Sequence, residues 1–286
     1  MSGICECHGH ILMRGDLSEN LEMLKSCGFT YFREGGDAAG RSAFVKRFLK
    51  DFPEYGLEYV TPVFALHKKG RYGGIVGKAF ENSRDFLSLV REVASLGSDF
   101  VKIMFSGIVT FEKYGELSCE SLSAAEIKEL VSIAHGEGFA VMAHTNGRDA
   151  FLAAVEAGTD SIEHGVFIDE ECLHALAESE SIWVPTIAAI AAFAGRSGRG
   201  EEVRWDVRQG FDALVTRRTV ESHMAAVRRG NELGAKIAAG ADSGAFAVPP
   251  GSGTLAEYSL LRECGLSDEG ITAANELIRA RFKRQR

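Results

Sequence analysis

Near the start of the chain, "ICECHGH" sets Cys5 and Cys7 against His8 and His10, four side chains of the kinds that hold divalent metal ions. Successive side chains of a strand point to opposite faces, so alternation groups His8 and His10 with Glu6 and turns Cys5 and Cys7 the other way. One site can use only one pair. The histidines come later and run straight into the polar turn "MRGD", and barrel enzymes gather their chemistry at the C-terminal ends of strands. The spacing therefore favours the histidines.

Further along, "FVKIMF" divides by the same alternation into Phe100, Lys102 and Met104 on one face and Val101, Ile103 and Phe105 on the other. The purely apolar set suits a helix layer, so Lys102 points inward, where an unpaired ammonium costs several kcal/mol or gives up its proton. Two outcomes are open. The neutral amine can take up carbon dioxide and become a carbamate whose oxygens each hold a metal ion, or the lysine reaches the mouth to pair with a carboxylate or bind substrate. His144 closes "FAVMAH", His164 closes "SIEH" and Asp242 closes "IAAGAD". Each alone reads as a hydrogen-bonded structural residue, but together with His8, His10 and Lys102 they point to a metal centre. His135, His174 and His223 fall in helical patterns and read as surface or capping residues, while His67 follows the third strand and faces the same mouth.

The elements that must carry these residues are short β-rich runs alternating with amphipathic stretches: "ICECHGH", "FTYFREGG", "LEYVTPVFA", "DFVKIMFSG", "FAVMAHTNG", "DSIEHG", "IWVPTIAAI" and "AKIAAGADSG". Between them, "AAEIKELVSIAHGEG" places Ile127, Leu130, Val131 and Ala134 on one helical face, with Gly138 past its end. Eight such units predict an α/β fold of the (β/α)8 TIM-barrel type, in one domain over residues 1–286. A doubly wound open sheet gives the same alternation, but no GxGxxG or GxxxxGK[ST] follows the first strand. The piece "GRSGRG" lies after the seventh strand, where a mobile active-site loop is expected, and a connection of roughly forty-five residues before the eighth strand leaves room for a lid.

A net charge of −8 with both signs interspersed argues against a nucleic-acid footprint or a polybasic membrane anchor, leaving a small solute as partner. No run approaches the roughly 18 apolar residues of a membrane span, and no leader is expected ahead of the first apolar run. A cytoplasmic location is expected, with six mostly scattered cysteines as core residues rather than disulfides.

HxH on the first strand, lysine on the fourth, histidines on the fifth and sixth and aspartate on the eighth resemble the binuclear-metal amidohydrolase superfamily. The phrases "GFTYFREGGD", "VKIMFSG", "AGTDSIEHG" and "AAGADSG" are similar to its imidazolonepropionase-related and prolidase-like branch. The resemblance runs from Ile4 to about Gly244. It implies that His8, His10 and Asp242 hold one divalent ion, that His144 and His164 hold a second, and that carbamylated Lys102 bridges both together with a hydroxide. The hydroxide would be the nucleophile, with Asp242 moving its proton to the leaving group. The ligand set suits zinc and would accept manganese, iron or cobalt. Where relatives commonly carry aspartate two residues before the first histidine, Glu6 stands here, expected to affect the barrel floor more than the metals. The family's small β-sandwich is expected to be absent, leaving the barrel bottom to helices or to a partner subunit in a homo-oligomer.

The loop after the third strand concentrates His67, Lys68, Lys69, Arg71 and Tyr72, which could hold an anionic substrate group; a solvated loop is the plain alternative. Tyr114 and Arg196 are weaker candidates for the same role. The expected reaction is hydrolysis of an amide or cyclic amide in a small, carboxylate-bearing substrate. A lactonase or phosphoesterase using the same centre, a mononuclear-metal deaminase and a barrel that binds a small molecule without turnover are the competing readings.

Overall fold

The computed structural model describes residues 3–195 and 211–283. Its parallel strands fall into two sheets. β1 (Ile4–Gly9), β2 (Phe29–Glu34) and β3 (Glu58–Val60) form one in that order. The other contains β4 (Ala65–Lys68), β5 (Gly77–Phe80), β6 (Val101–Met104), β7 (Val141–Thr145), β8 (Ser161–His164) and β9 (Ile182–Val184), in the order β5-β4-β6-β7-β8-β9. Single hydrogen bonds link the sheets. Trp183 N donates to Lys236 O at 2.8 Å, Cys7 N to Ala239 O at 2.9 Å and Asp242 N to His8 O at 2.7 Å, so the 236–243 segment lies between β9 and β1. On the other side Asp99 N donates to Thr61 O at 2.9 Å.

Two expected strands are modified. The third is broken after Val60 by Pro62, which has no N–H to give a ladder, and by Val63 at φ 70°; it resumes as β4. The eighth forms no continuous ladder among the described residues and meets its neighbours through isolated bridges, Trp183 to Ile237 and Gly9 to Ser243, and a few further backbone hydrogen bonds.

Helices form where caps and apolar stripes coincide. Asp16 caps α1 (Leu17–Ser26), Asn82 caps α3 (Ser83–Ser95), and Ser123 with Glu126 makes a capping box on α4 (Ala124–Gly136), whose Ile127, Leu130, Val131 and Ala134 are buried as the periodicity predicts. α2 (Ser42–Asp51), α5 (Arg148–Glu156), α6 (Glu170–Glu178), α7 (Ile187–Ala191), α8 (Ala213–Glu232) and α9 (Ser252–Glu263) complete the helical layer around the strands. The outward strand residues Val101, Ile103, Val141, Ala143 and Ile162 share one apolar cluster with these helices.

Inside lies a second, smaller cluster of Tyr31, Val60, Phe100, Met142 and Val184, closed from below by Ala274, Ile278 and Phe282 of α10 (Asp268–Arg281) and its C-cap. This helix covers the face left open to helices or a partner by the sequence. Cys5 and Cys7 belong to this interior cluster, a correction to strict alternation. The pairing of β1 with β2 shifts register between Glu6 and Gly9, and this irregularity lets Cys7 and His8 both face inward while Glu6 turns out. Glu6 then accepts hydrogen bonds from His8 N at 3.1 Å, Ala241 N at 2.9 Å and the hydroxyl of Thr254. It ties β1 to the strand carrying Asp242 instead of shaping the floor.

Candidate metal centre

His8, His10, Lys102, His144, His164 and Asp242 all line one cavity of about 230 Å³ at the C-terminal ends of the strands. The His8 and His164 ring centroids lie 5.0 Å apart, those of His144 and His164 4.5 Å, and those of His8 and His10 5.7 Å. One nitrogen each of His8 and His164 and a carboxylate oxygen of Asp242 lie within 4.8 Å of one another, close enough to share an ion.

Strain accompanies this convergence. His164 sits at φ 70°, Asp242 at 56° and Thr186 at 48°, left-handed conformations that non-glycine residues rarely take and that cost about 1–3 kcal/mol each. At His164 the consequence is direct. Ser161 and Glu163 already point inward and Ile162 outward, so His164 would face the helices if the strand continued; the left-handed turn brings it back to the cavity. Trp183 Nε1 fixes that turn by donating to His164 O at 2.9 Å.

Each imidazole is oriented by a second partner. His8 Nδ1 lies 2.8 Å from Glu163 Oε2, His10 Nδ1 2.8 Å from Gly36 O, and His164 Nδ1 2.7 Å from Thr186 Oγ1, which leaves the Nε2 atoms for a ligand. His144 is turned the other way, with Nε2 3.1 Å from Gly107 O. Burial holds His8 and His164 well below the usual histidine range and His144 down at about 3, so these rings are neutral and carry a free lone pair. For His10, burial is outweighed by the hydrogen bond to Glu34 and the Asp242 charge, and its pKa is raised.

Two buried atoms at the centre have no hydrogen-bond partner among the described residues: Lys102 Nζ and Asp242 Oδ1. Burial brings the Lys102 pKa down to about 8, against the attraction of Glu163 and Asp242, and raises that of Asp242. Neutral imidazoles, an uncommitted carboxylate oxygen and an uncommitted amine fit a divalent-metal site.

Below the centre lies a set of polar residues set back from the strand ends. Arg33, fully buried on β2, donates to both oxygens of Glu163 at 3.0 and 3.1 Å and to Ser161 Oγ at 2.7 Å. Glu163 passes this network on to His8. The available signal was alternation itself, since Arg33 shares a face with Tyr31, and Glu163 with Ser161. Glu257, buried on α9, accepts from Ile187 N at 3.0 Å and Ala188 N at 2.6 Å, fixing the start of α7 directly after Thr186.

The expected substrate-binding loop divides. Tyr72 lines the cavity, its ring 5.1 Å from that of His144. Lys68 pairs with Glu126, Lys69 with Glu81, and Arg71 with Glu120 at 2.9 Å; none of the three lines the cavity. Their acidic partners lie 12 to 58 residues away in sequence, so the loop read alone gave no sign of them. His67 is buried in β4 with Nδ1 3.2 Å from Lys68 O, also outside the lining. Tyr114 stands against Phe167 and beneath the Arg218 guanidinium, 3.9 Å from its ring centroid. Arg196 and the remainder of "GRSGRG" after Gly195 lie outside the described residues.

Parallel strands wrapped by helices, with imidazoles, a carboxylate and a buried lysine meeting at the strand C-termini, define an α/β protein of TIM-barrel type built around a candidate metal site. The Amidohydrolase family model matches residues 20–282, and the chain belongs to this family. It is 28% identical over 169 residues to ochratoxinase of Aspergillus niger, a match covering 59% of this chain and 32% of that protein. An uncharacterized protein of Mycobacterium tuberculosis is 28% identical over 130 residues, or 46% of this chain and 34% of the other. The chain thus matches about a third of the length of these relatives. Among solved structures, the fold is similar to a Xaa-Pro dipeptidase with methionine bound in its active site (TM-score 0.76, 21% identity, 97% of this chain and 75% of the other). A. niger ochratoxinase is equally similar in fold (TM-score 0.75, 20% identity, 99% and 72%). No helix among the described residues is long and apolar enough to cross a membrane.

Proposed function

We propose that this protein is a metal-dependent hydrolase of carbon–nitrogen bonds that cleaves an amide or cyclic amide of a small molecule. The observation that carries the reading is the convergence of four buried imidazoles, Asp242 and the unpartnered amine of Lys102 on one cavity. Family membership and the names of the relatives support it.

His8, His10 and Asp242 would hold one divalent ion, His144 and His164 a second, and Lys102, as a carbamate, would bridge them. Zinc suits this donor set. Bound ions of this kind polarise a carbonyl and supply an activated water at neutral pH. The chain's own contributions are positional and protonic. Glu163, Gly36 O and Thr186 aim the rings of His8, His10 and His164. Asp242 Oδ1 stands 3.4 Å from His10 Nε2 and 3.7 Å from His8 Nε2, within the same cavity, where it can take a proton from the attacking water and return it to the leaving nitrogen. In balance, the carbon–nitrogen bond breaks while water gives its oxygen to the carbonyl carbon and its proton to the amine.

The test is metal per chain by elemental mass spectrometry on protein purified without chelators, wild type beside Lys102→Ala, together with hydrolysis of a panel of amides, cyclic amides and lactones. Two ions falling to one or none, amide turnover, and loss of that turnover in a folded Asp242→Asn variant are expected. The tightness of the His8, His164 and Asp242 group favours a second reading, a mononuclear deaminase. One ion per chain, unaffected by Lys102→Ala, would refute the bridged centre and point to that reading.

A further inference from the structure

Away from the metal centre the cavity lining is mostly apolar, with Tyr72, Asn146 and Thr186 as its polar members. Beside the histidines it is bounded by Val109, Phe111, Ile190, Phe193, Phe211 and Phe246. The four phenyl rings form one wall. Phe111 and Phe193 centroids are 4.8 Å apart, Phe111 and Phe211 5.5 Å and edge-on, Phe193 and Phe211 5.6 Å and edge-on, and Phe193 and Phe246 5.8 Å and stacked. They come from four separate places in the chain: the loop after β6, the turn after α7, the approach to α8 and the segment after Asp242.

Phe111 is held in the wall at a conformational cost. Its φ is 61°, an outlier for an aromatic residue, and its carbonyl accepts from Asp212 N at 3.0 Å, while Val109 bridges to Leu117 in an antiparallel pair. Strain of this kind persists where the surroundings over-determine it, which here means the loop is braced with its ring against the cavity. Tyr72 also lines the cavity, against His144.

We infer that this wall is the subsite for a large apolar group, preferably an aromatic ring, on one side of the scissile bond. The inference rests on the proposed hydrolytic reading for what happens at the metal centre, but not for the binding itself. An apolar cavity of about 150 Å³ already accepts benzene, so about 230 Å³ accommodates a phenyl group with an amide beside it. Aromatic walls attract a further ring edge-on or offset, beyond simple burial. Among the described residues, three basic candidates for holding a substrate carboxylate are engaged elsewhere, Lys68, Lys69 and Arg71 in ion pairs with Glu126, Glu81 and Glu120.

The test separates binding from turnover. Binding to the metal-loaded protein is measured by calorimetry with 4-phenylbutan-2-one and butan-2-one, ketones that contain no amide. Hydrolysis is measured with N-(3-phenylpropanoyl)glycine, its neutral N-methylamide and N-propanoylglycine. We expect the phenyl group to improve both binding and kcat/KM by about 10- to 100-fold. Phe193→Ala and Phe246→Ala should each lower the phenyl-to-short-chain ratio by about tenfold, while Phe193→Leu, which keeps apolar volume and guards against misfolding, should retain part of it. No phenyl advantage in binding, or a larger gain from the carboxylate than from the phenyl group, overturns the inference. A phenyl advantage in binding with no turnover of any amide upholds the subsite and refutes the hydrolytic reading instead.

Discussion

Replacing Glu163 with Gln keeps the shape of the side chain and removes the charge on which the interior polar network depends. In the native protein the carboxylate faces Arg33 through two contacts of 3.0 and 3.1 Å, Ser161 through a short hydrogen bond and His8 Nδ1 at 2.8 Å, all fully out of solvent. Breaking one partner of a buried pair costs about 3–5 kcal/mol because the other charge stays behind. Arg33 retains two acceptors, Cys7 O and Ser161 Oγ, and the amide oxygen of Gln can keep one hydrogen bond worth about 1 kcal/mol. A net loss of about 2–4 kcal/mol follows, a large part of the roughly 5–15 kcal/mol that keeps a domain folded. The same change deprives His8 of a charged orienting partner, which lowers metal affinity by about 10- to 100-fold. Urea unfolding of metal-depleted protein reads the first effect and chelator competition the second. In the double variant Glu163→Gln with Arg33→Met, stability should return while metal affinity stays low, because no uncompensated charge remains but His8 is still unsupported. A single variant that loses under about 1 kcal/mol and binds metal like wild type would refute the reasoning.

Three other perturbations probe separate features. Lys102→Met should stabilise the metal-depleted protein by about 1–3 kcal/mol in urea titration, since it removes a buried amine without a hydrogen-bond partner, while lowering bound metal; equal stability would argue against an uncompensated amine. Gly165→Ala should cost about 1–3 kcal/mol by the same assay, because at φ +69° an added methyl would lie 2.7 Å from Trp183 Nε1 and 3.0 Å from Phe151, disturbing the indole that holds His164 O. Glu257 tests a pH slope: burial raises its pKa to about 8 against the two amide hydrogen bonds it accepts. A carboxyl whose folded pKa is raised contributes stability fully below its unfolded value near 4.5 and loses that contribution as pH rises through about 8. The unfolding free energy of wild type should therefore fall across this window relative to Glu257→Gln, and parallel curves would refute the assignment.

The residues of the candidate centre and the order of the elements carrying them were legible in the sequence. Strand alternation is a local property, so Lys102 inward with Val101 and Ile103 outward follows from spacing alone, as does the buried stripe of α4 from its helical period. Alternation failed where the backbone departs from a regular strand. The register shift in β1 turned Cys7 and His8 to the same side, and the left-handed His164 stands beside Glu163 on the inside rather than opposite it. These departures depend on neighbours distant in sequence, such as Trp183 bracing His164 O. The partners of Lys68, Lys69 and Arg71, the Arg33–Glu163 support under His8 and the phenyl wall drawn from four segments likewise exist only once the chain has folded. Residue type and local period fix which chemistry a chain can offer; which groups meet, and which are already engaged, is settled by long-range contacts that no local pattern encodes.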